Sequence, residues 1–294
     1  MRQTKKFFLV VLVISMFSFP GLAQNDPPPG FPIVEDFTDM SEWTLSGHAV
    51  HDAGNGWVQL TSNITWKAGL AVHNTAFPST YGITVEFDFY AGGGTGADGI
   101  AFFLVDGTTD PVTAGAFGCA LGYACYGNGS APGVPNGYVG ISLDECGGFV
   151  SGCAGHNGLP GYIADTVAIR GSGNGLVGYN YLTHAVTVPY GGIDGGWRRA
   201  RITVTQGQLI SVQISWDGGT TWVQLINNYD LSAAPGQATL PATFKLGFSS
   251  GTGSGTNYHR VDNLDVSVPV DTAVAVTQQP GGPFCTGDTV EYRY

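Results

Sequence analysis

The sequence predicts an all-β domain built as a sandwich of two antiparallel sheets, and three observations carry this prediction. Short apolar or alternating runs, each closed by turn residues, recur along the chain. No window between residue 33 and about residue 268 has the 3.6-residue apolar periodicity of an amphipathic helix. Glycine supplies 46 of the 294 residues and charged residues only 11%. This composition is typical of many short strands joined by tight turns.

The strands are predicted in order along the chain. ITVEFDFY (83–90) alternates apolar and polar residues, which indicates a strand with one buried face. IAFFLV (100–105) is apolar on both faces and is expected at the centre of a sheet. Seven further strands are YVGISL (138–143), TVAIR (166–170), RITVT (201–205), LISVQISW (209–216), TWVQLI (221–226), FKLGFS (244–249) and LDVSV (264–268). The long connections 106–137 and 145–165 are the expected carriers of binding residues.

The first residues are expected to direct export. Basic residues precede an apolar run over 7–17, and small residues follow at the expected cleavage site. We therefore predict a signal peptide over 1–23, a Pro-rich linker over 24–32 and a mature chain that is secreted or held at the cell surface. No later apolar stretch is long enough to span a bilayer. The net charge of −11 argues against nucleic acid as a partner, because phosphate binding needs clustered basic residues.

Five cysteines in an exported chain indicate disulfides. Four of them lie close together in sequence: Cys119, Cys125, Cys146 and Cys153. The simplest pairing joins the first to the second and the third to the fourth, although four cysteines allow three connectivities. Cys285 is left over, in a stretch where a new alternating strand begins. We expect 269–294 to be a linker and the truncated start of a second, Ig-like β module that holds its partner.

Five segments, taken in order, carry a family resemblance. They are GADGIAFFL (96–104), FGCALGYA (117–124), GYVGISLDECGGF (137–149), WRRARITV (197–204) and FKLGFSSGTGSGTNYHRVDNLDV (244–266). Together they resemble the L-type, legume-lectin-like lectins, most closely their bacterial surface-protein branch. The resemblance covers 33–268 and implies a concanavalin A-like jelly roll that binds glycans and is not an enzyme.

The resemblance also implies the sugar contacts. Asp98 falls where the family's acid accepts hydrogen bonds from two sugar hydroxyls, and the resemblance implies a cis peptide bond between Ala97 and Asp98. Gly118 falls where a backbone N–H reaches the sugar, and Gly253 and Ser254 fall in a loop that contacts the ligand. Taken alone, each of these residues also suits an ordinary turn.

An aromatic face for a pyranose ring is the remaining element of such a site. Phe149 is the expected contact, and Tyr123 and Tyr126 are the other candidates. Residues of these types lie more often in the core than on a sugar-binding surface.

The metal-binding motif of the resembling family is changed in this sequence. Where the family has Glu, Asp, an aromatic residue and Asn, the chain has Ser142, Asp144, Cys146 and Gly148. No transition metal is therefore expected. One Ca²⁺ held by Asp144 and Glu145, with a later acid such as Asp165, stays open beside a purely structural role for Asp144, since Ca²⁺ needs about six to eight oxygens. We expect a disulfide from Cys146 to staple this loop.

Two functions compete with glycan binding. A structural adhesion or spacer module is favoured by the changed metal motif. A glucanase of the same sandwich needs Glu-x-Asp-x-x-Glu on one strand; Glu86 and Asp88 begin this pattern, but no second Glu follows. The adjacent Asp144 and Glu145 point to opposite faces of a strand. SWDGGTTW (215–222) fits an Asp-box and predicts a hairpin turn rather than a catalytic element.

Overall fold

The computed structural model describes residues 31–188 and 190–269. The predicted signal peptide, nearly all of the Pro-rich linker, Cys285 and all but the first residue of the predicted second module lie outside this range. No helix among the described residues is long and apolar enough to cross a membrane.

Strands dominate the described residues, with two single-turn 3₁₀ helices at Ser79–Tyr81 and Gly118–Ala120. The strands are β1 (Ile33–Glu35), β2 (Trp43–Gly47), β3 (Val50–Asp52), β4 (Trp57–Thr61), β5 (Lys67–His73), β6 (Phe77–Pro78), β7 (Ile83–Gly92), β8 (Gly99–Asp106), β9 (Gly137–Asp144), β10 (Thr166–Arg170), β11 (Gly173–Asn174), β12 (Val177–Gly178), β13 (Tyr181–Val186), β14 (Gly196–Val204), β15 (Leu209–Ser215), β16 (Val223–Asp230), β17 (Thr243–Thr252) and β18 (Tyr258–Ser267).

These strands form two antiparallel sheets. The eight-stranded sheet has the order β16-β15-β14-β7-β18-β4-β3, with β1 also paired to β18. The ten-stranded sheet has the order β12-β11-β9-β8-β17-β5-β2, with β10 and β13 continuing from β9 and β6 paired to β17. The predicted two-sheet, all-β architecture is confirmed, and each of the nine predicted strands overlaps an observed one.

The core between the sheets follows from the alternation of the strands. In β7 the apolar residues are buried and the intervening polar residues are partly exposed, as predicted. Phe87 of this strand packs edge-on against Phe248 of β17, with ring centroids 4.7 Å apart, and Phe248 lies 5.8 Å from Phe102 of β8. Large apolar rings from both sheets therefore fill the intersheet core.

A second apolar layer covers the other face of the ten-stranded sheet. We call it the loop layer; it consists of the connections 107–136 and 145–165. Phe103, the neighbour of Phe102 in β8, points into this layer and stacks against Tyr123, with centroids 6.0 Å apart. This layer explains why β8 is buried along nearly its whole length.

Arg170, at the end of β10, ties the loop layer to the sheet. Its side chain is fully buried and donates hydrogen bonds to four backbone carbonyls, those of Phe149 (2.6 Å), Ser151 (2.7 Å), Tyr179 (2.7 Å) and His156 (3.2 Å). Burial lowers the pKa of Arg170 to about 10. The guanidinium thus supplies donors to carbonyls of the loop layer and of the segment before β13.

Candidate functional site

A cavity of about 660 Å³ opens where the loop layer meets the beginning of β8. Four of the predicted sugar contacts line it: Asp98, Gly118, Gly253 and Ser254. They come from three segments that are far apart in sequence. Antiparallel pairing of β8 with β17 joins the first and third segments at one end of the ten-stranded sheet, and the 3₁₀ helix that contains Gly118 packs on β17, where Ser249 Oγ donates to the Leu121 carbonyl (2.8 Å).

The backbone of Asp98 is held on both sides. The Ala97–Asp98 peptide bond is cis in the structure. The Asp98 carbonyl accepts hydrogen bonds from the N–H groups of Glu145 (2.9 Å) and Cys146 (3.3 Å), and its own N–H donates to the Gly251 carbonyl (3.1 Å). Asp98 is therefore fixed to the end of β9 and to β17 at once.

The carboxyl group of Asp98 is buried yet incompletely bonded. The residue is only 6% exposed, and its Oδ2 has no hydrogen-bond partner among the described residues. Burial raises the pKa of Asp98 to about 6, partly offset by the nearby His259 and by the N–H of Gly253. An oxygen in this state is free to accept a hydrogen bond from a bound molecule.

Two glycines lie beside that oxygen. A Cβ atom at Gly253 would lie 3.1 Å from Asp98 Oδ2, and one at Gly118 would lie 3.8 Å from it. Gly118 also has φ +60°, a left-handed conformation that residues with side chains adopt at a cost. Glycine at both positions thus leaves space above the carboxylate.

The predicted aromatic contact, Phe149, is wrong. Its side chain is fully buried in the loop layer, near Tyr123, which is buried as well. Two hydrogen bonds hold the backbone of Phe149 on this buried side: its N–H donates to Asp144, and its carbonyl accepts from Arg170. Of the three candidates only Tyr126 lines the cavity.

Two exposed aromatic residues that the sequence did not single out line the cavity instead. Trp66 is 57% exposed and Tyr162 is 55% exposed. Trp66 lies between β4 and β5 with φ +60°, and its N–H donates to the Gly253 carbonyl (3.1 Å). Its indole packs edge-on against Phe117, with centroids 5.8 Å apart. The sequence feature that could have pointed to Trp66 is a tryptophan in a polar stretch outside the predicted strands.

The disulfide pairing predicted from sequence proximity is wrong. The structure joins Cys119 to Cys153, with Cα atoms 6.2 Å apart, and leaves Cys125 and Cys146 as free thiols. The reason is that the two loops run side by side: Tyr126 pairs with Ala154 in an antiparallel bridge. The cysteines that lie close in space are therefore not those that lie closest in sequence. Among the described residues, Cys146 does not form the predicted disulfide.

Solved structures resemble this arrangement. Lectin I-B4 from Griffonia simplicifolia, in a metal-free form, shares 20% identity over 80% of this chain and 98% of its own, with a TM-score of 0.54. The exoplasmic/lumenal domain of VIP36, in a form bound to Ca²⁺ and Man2, has 15% sequence identity. The match covers 85% of this chain and 90% of the VIP36 chain, with a TM-score of 0.56. The winged bean acidic lectin, complexed with methyl-α-D-galactose, has 18% sequence identity. The match covers 80% of this chain and 96% of the winged bean chain, with a TM-score of 0.57.

The chain has the jelly-roll fold of these lectins. At such identities the similarity establishes the lectin fold, and the bacterial surface-protein branch stays a prediction. No protein-family model and no curated protein matches the sequence.

The VIP36 domain holds Ca²⁺, and a cation needs carboxylate oxygens that are not already engaged. Both carboxylate oxygens of the fully buried Asp144 already accept backbone N–H groups, from Gly147 (2.7 Å) and Phe149 (2.7 Å). Burial raises the pKa of Asp144 to about 8, with those two N–H groups opposing the shift. Asp144 caps the loop that follows β9.

The remaining positions of the motif do not supply cation ligands either. Glu145 directs its two oxygens away from the cavity, to His259 Nε2 (2.6 Å) and to Asn257 Nδ2. A Cβ at Gly148 would lie 2.6 Å from Cys119 Cβ, so the disulfide occupies the space of the family's Asn side chain. No group of three His, Cys, Asp or Glu residues in the described part of the chain is arranged to hold a metal. The residues present therefore do not fit Ca²⁺.

The other acidic motifs lie outside the cavity. Glu86 and Asp88 form ion pairs with Arg201 (2.6 Å) and Arg199 (2.9 Å) on the outer face of the eight-stranded sheet. The predicted hairpin turn at 215–222 is confirmed: it joins β15 to β16, and the Asp217 carboxylate accepts hydrogen bonds from both Ser215 and Thr221.

Proposed function

We propose that the described domain binds neutral glycans through Asp98. The observation that carries this proposal is the buried, unpartnered Oδ2 of Asp98 at the edge of an open cavity. A buried acceptor without a partner costs about 1–3 kcal/mol, and a ligand hydroxyl would recover that free energy. At the two glycines beside the carboxylate no side chain stands between it and the cavity.

The ligand is expected to be uncharged because the cavity offers no counterion for an anion. Asp98 is the single carboxylate among the described lining residues, and no Lys or Arg is among them. An acidic sugar would meet the Asp98 carboxylate without a compensating cation.

The size and walls of the cavity favour a short oligosaccharide. A volume of about 660 Å³ falls within the 300–1,000 Å³ range in which pockets enclose drug-sized ligands. Trp66 and Tyr162 present exposed rings on which the apolar face of a pyranose can pack. The solved lectins carry mannose-containing and galactose ligands, which supports the glycan class without fixing the sugar. A secreted or cell-surface location, as the N-terminal segment predicts, completes this proposal.

Hydrolysis of the glycan is not part of the proposal. Glycosidases of both stereochemical outcomes place two carboxyl groups across the scissile bond. The described lining residues include one carboxylate, and the candidate pair Glu86 and Asp88 is engaged with arginines elsewhere.

A glycan array followed by titration calorimetry tests the proposal. We expect Asp98→Asn to weaken binding by about a hundredfold, since hydrogen bonds to a charged acceptor contribute about 1.5–3 kcal/mol each. Gly253→Ala should weaken it about tenfold, because the added methyl crowds Asp98 Oδ2. Gly152→Ala is the matched control: this glycine also lines the cavity, but its Cβ would meet nothing within 4 Å. Equal binding by wild type and Asp98→Asn contradicts the assignment, and an array without hits indicates the spacer function.

A further inference from the structure

Five buried polar side chains form a continuous path of hydrogen bonds behind Asp98. We call this path the polar relay; its members are Thr61, Glu145, Ser250, Asn257 and His259. Each of them is buried, and three are completely inaccessible. Burial of so many polar groups is unfavourable unless all of them are paired.

One end of the relay holds the loop that precedes Asp98. The N–H of Gly94 donates to Asn257 Oδ1 (2.7 Å), and Asn257 Nδ2 donates to Glu145 Oε2. Glu145 Oε1 is bonded to His259 Nε2 (2.6 Å). Glu145 also reaches Asp98 directly, through its backbone N–H.

The other end holds the residue that follows Asp98. His259 Nδ1 is bonded to Thr61 Oγ1 (2.6 Å), which lies 3.0 Å from Ser250 Oγ. Ser250 Oγ then donates to the Gly99 carbonyl (2.8 Å). The relay therefore begins at Gly94, ends at Gly99 and brackets Asp98 on both sides.

Counting protons defines the state in which the relay is complete. The four bonds between Glu145 Oε1 and the Gly99 carbonyl need four hydrogens. Thr61 and Ser250 supply one each, and a neutral imidazole supplies only one more. The Glu145–His259 pair supplies the other two, and in every complete arrangement His259 Nδ1 carries a hydrogen and donates it to Thr61 Oγ1.

We propose that the polar relay positions Asp98 and does so in place of a metal ion, which makes glycan binding independent of divalent cations. This inference rests on the proposed function for its binding readout. Its structural basis is separate: Asp144 and Glu145 are fully engaged, and the disulfide fills the space beside Gly148. Asn257, Glu145 and His259 are thus positioning residues that act through the backbone around Asp98.

The first experiment asks whether a cation matters. We expect the dialysed protein to contain no stoichiometric calcium by mass spectrometry. EDTA or added Ca²⁺ should shift neither its melting temperature nor its glycan affinity. Retained calcium, or a melting temperature that EDTA lowers, overturns the inference whether or not the protein binds glycans.

The second experiment breaks the relay, first with a variant that leaves the charge unchanged. Thr61→Val removes one hydroxyl and keeps the side-chain shape, so the protein should fold while the bonds from Thr61 Oγ1 to His259 and to Ser250 are lost. We expect a glycan affinity about tenfold lower, because a displaced carboxylate forms poor hydrogen bonds. Glu145→Gln should act in the same direction. His73→Gln, at a buried histidine outside the relay, is the matched control and should change the affinity less than twofold.

Nuclear magnetic resonance gives a readout that does not need a ligand. In wild type, Nδ1 of His259 should carry a hydrogen, and Thr61→Val should move the ¹³Cγ signal of Asp98 whereas His73→Gln should not. An unmoved Asp98 signal in Thr61→Val overturns the positioning role. If wild type binds no glycan but these signals behave as expected, the proposed function fails and the positioning role stands.

Discussion

The intersheet core and the loop layer of this domain are held together by different means. Between the sheets, rings such as Phe87, Phe102 and Phe248 pack without directional bonds. In the loop layer, Arg170 binds four carbonyls and a disulfide links the two long connections. Loops lack the regular ladder bonds of strands, so directed contacts must fix their backbone. The candidate binding cavity borders the region that is fixed in this second way.

The largest expected effect comes from removing the arginine of the loop layer. Arg170→Met removes four hydrogen bonds to backbone carbonyls and should lower the free energy of unfolding by about 4 kcal/mol in urea titrations. Phe87→Ala in the intersheet core should cost a similar 3–5 kcal/mol. Below the unfolding transition, only Arg170→Met should also weaken glycan binding. Equal binding losses in both variants would mean that the two regions are not separable.

The disulfide is the next largest contributor. Its closed loop spans 34 positions, which corresponds to about 3–4 kcal/mol of unfolding free energy in the chain-entropy description. Replacing both Cys119 and Cys153 by Ser should produce this loss in urea titrations. Cys146→Ser, a free thiol at the same cavity, should change stability by less than about 0.5 kcal/mol. A comparable loss in the control would show that cavity packing, and not the crosslink, matters.

Titration of Asp98, at the cavity beside the loop layer, should make both glycan binding and stability depend on pH. The folded pKa of Asp98 is raised to about 6, so the carboxylate that accepts sugar hydroxyls is lost as the pH falls through 6. We expect a roughly constant glycan affinity above pH 7 and a loss of about tenfold per pH unit well below 6.

The effect of the same titration on the stability of the fold has the opposite sign. Because the folded state binds this proton more tightly, Asp98 stabilises the fold at acid pH, and this contribution disappears as the pH rises through 6. Asp98→Asn should abolish both dependences, and a variant that retains either one would assign the titration to another group.

The smallest expected effect compares two exposed tryptophans. Trp66 lines the cavity, whereas Trp197, 39% exposed, lies on the outer face of the eight-stranded sheet near Trp57 and Tyr90. Trp66→Ala should weaken glycan binding about fivefold, equivalent to roughly 1 kcal/mol of ring contact. Trp197→Ala should leave the affinity unchanged in the same calorimetric titration. A loss in the second variant would place a glycan contact on that outer face.

The sequence predicted features that depend on local pattern and on the order of segments. The alternation in ITVEFDFY indicated its buried face, and the ordered lectin-like segments brought Asp98, Gly118 and Gly253 to one place. Phe149 and the cysteine pairing were wrong because both depend on how two long loops cross, which no local pattern specifies. Trp66 and His259 were overlooked for a related reason. Their neighbours, such as Gly253 and Glu145, lie more than a hundred residues away.

The contact between Cys119 and Gly148 has a consequence for where such a domain is able to mature. A coordinating side chain at 148 would need the space that the crosslink occupies, so this loop depends on thiol oxidation rather than on the supply of a dissolved ion. Its binding face should therefore assemble correctly only in an oxidising environment. In a reducing cytosol the two sheets should still fold, but the two connections of the loop layer would lack their crosslink.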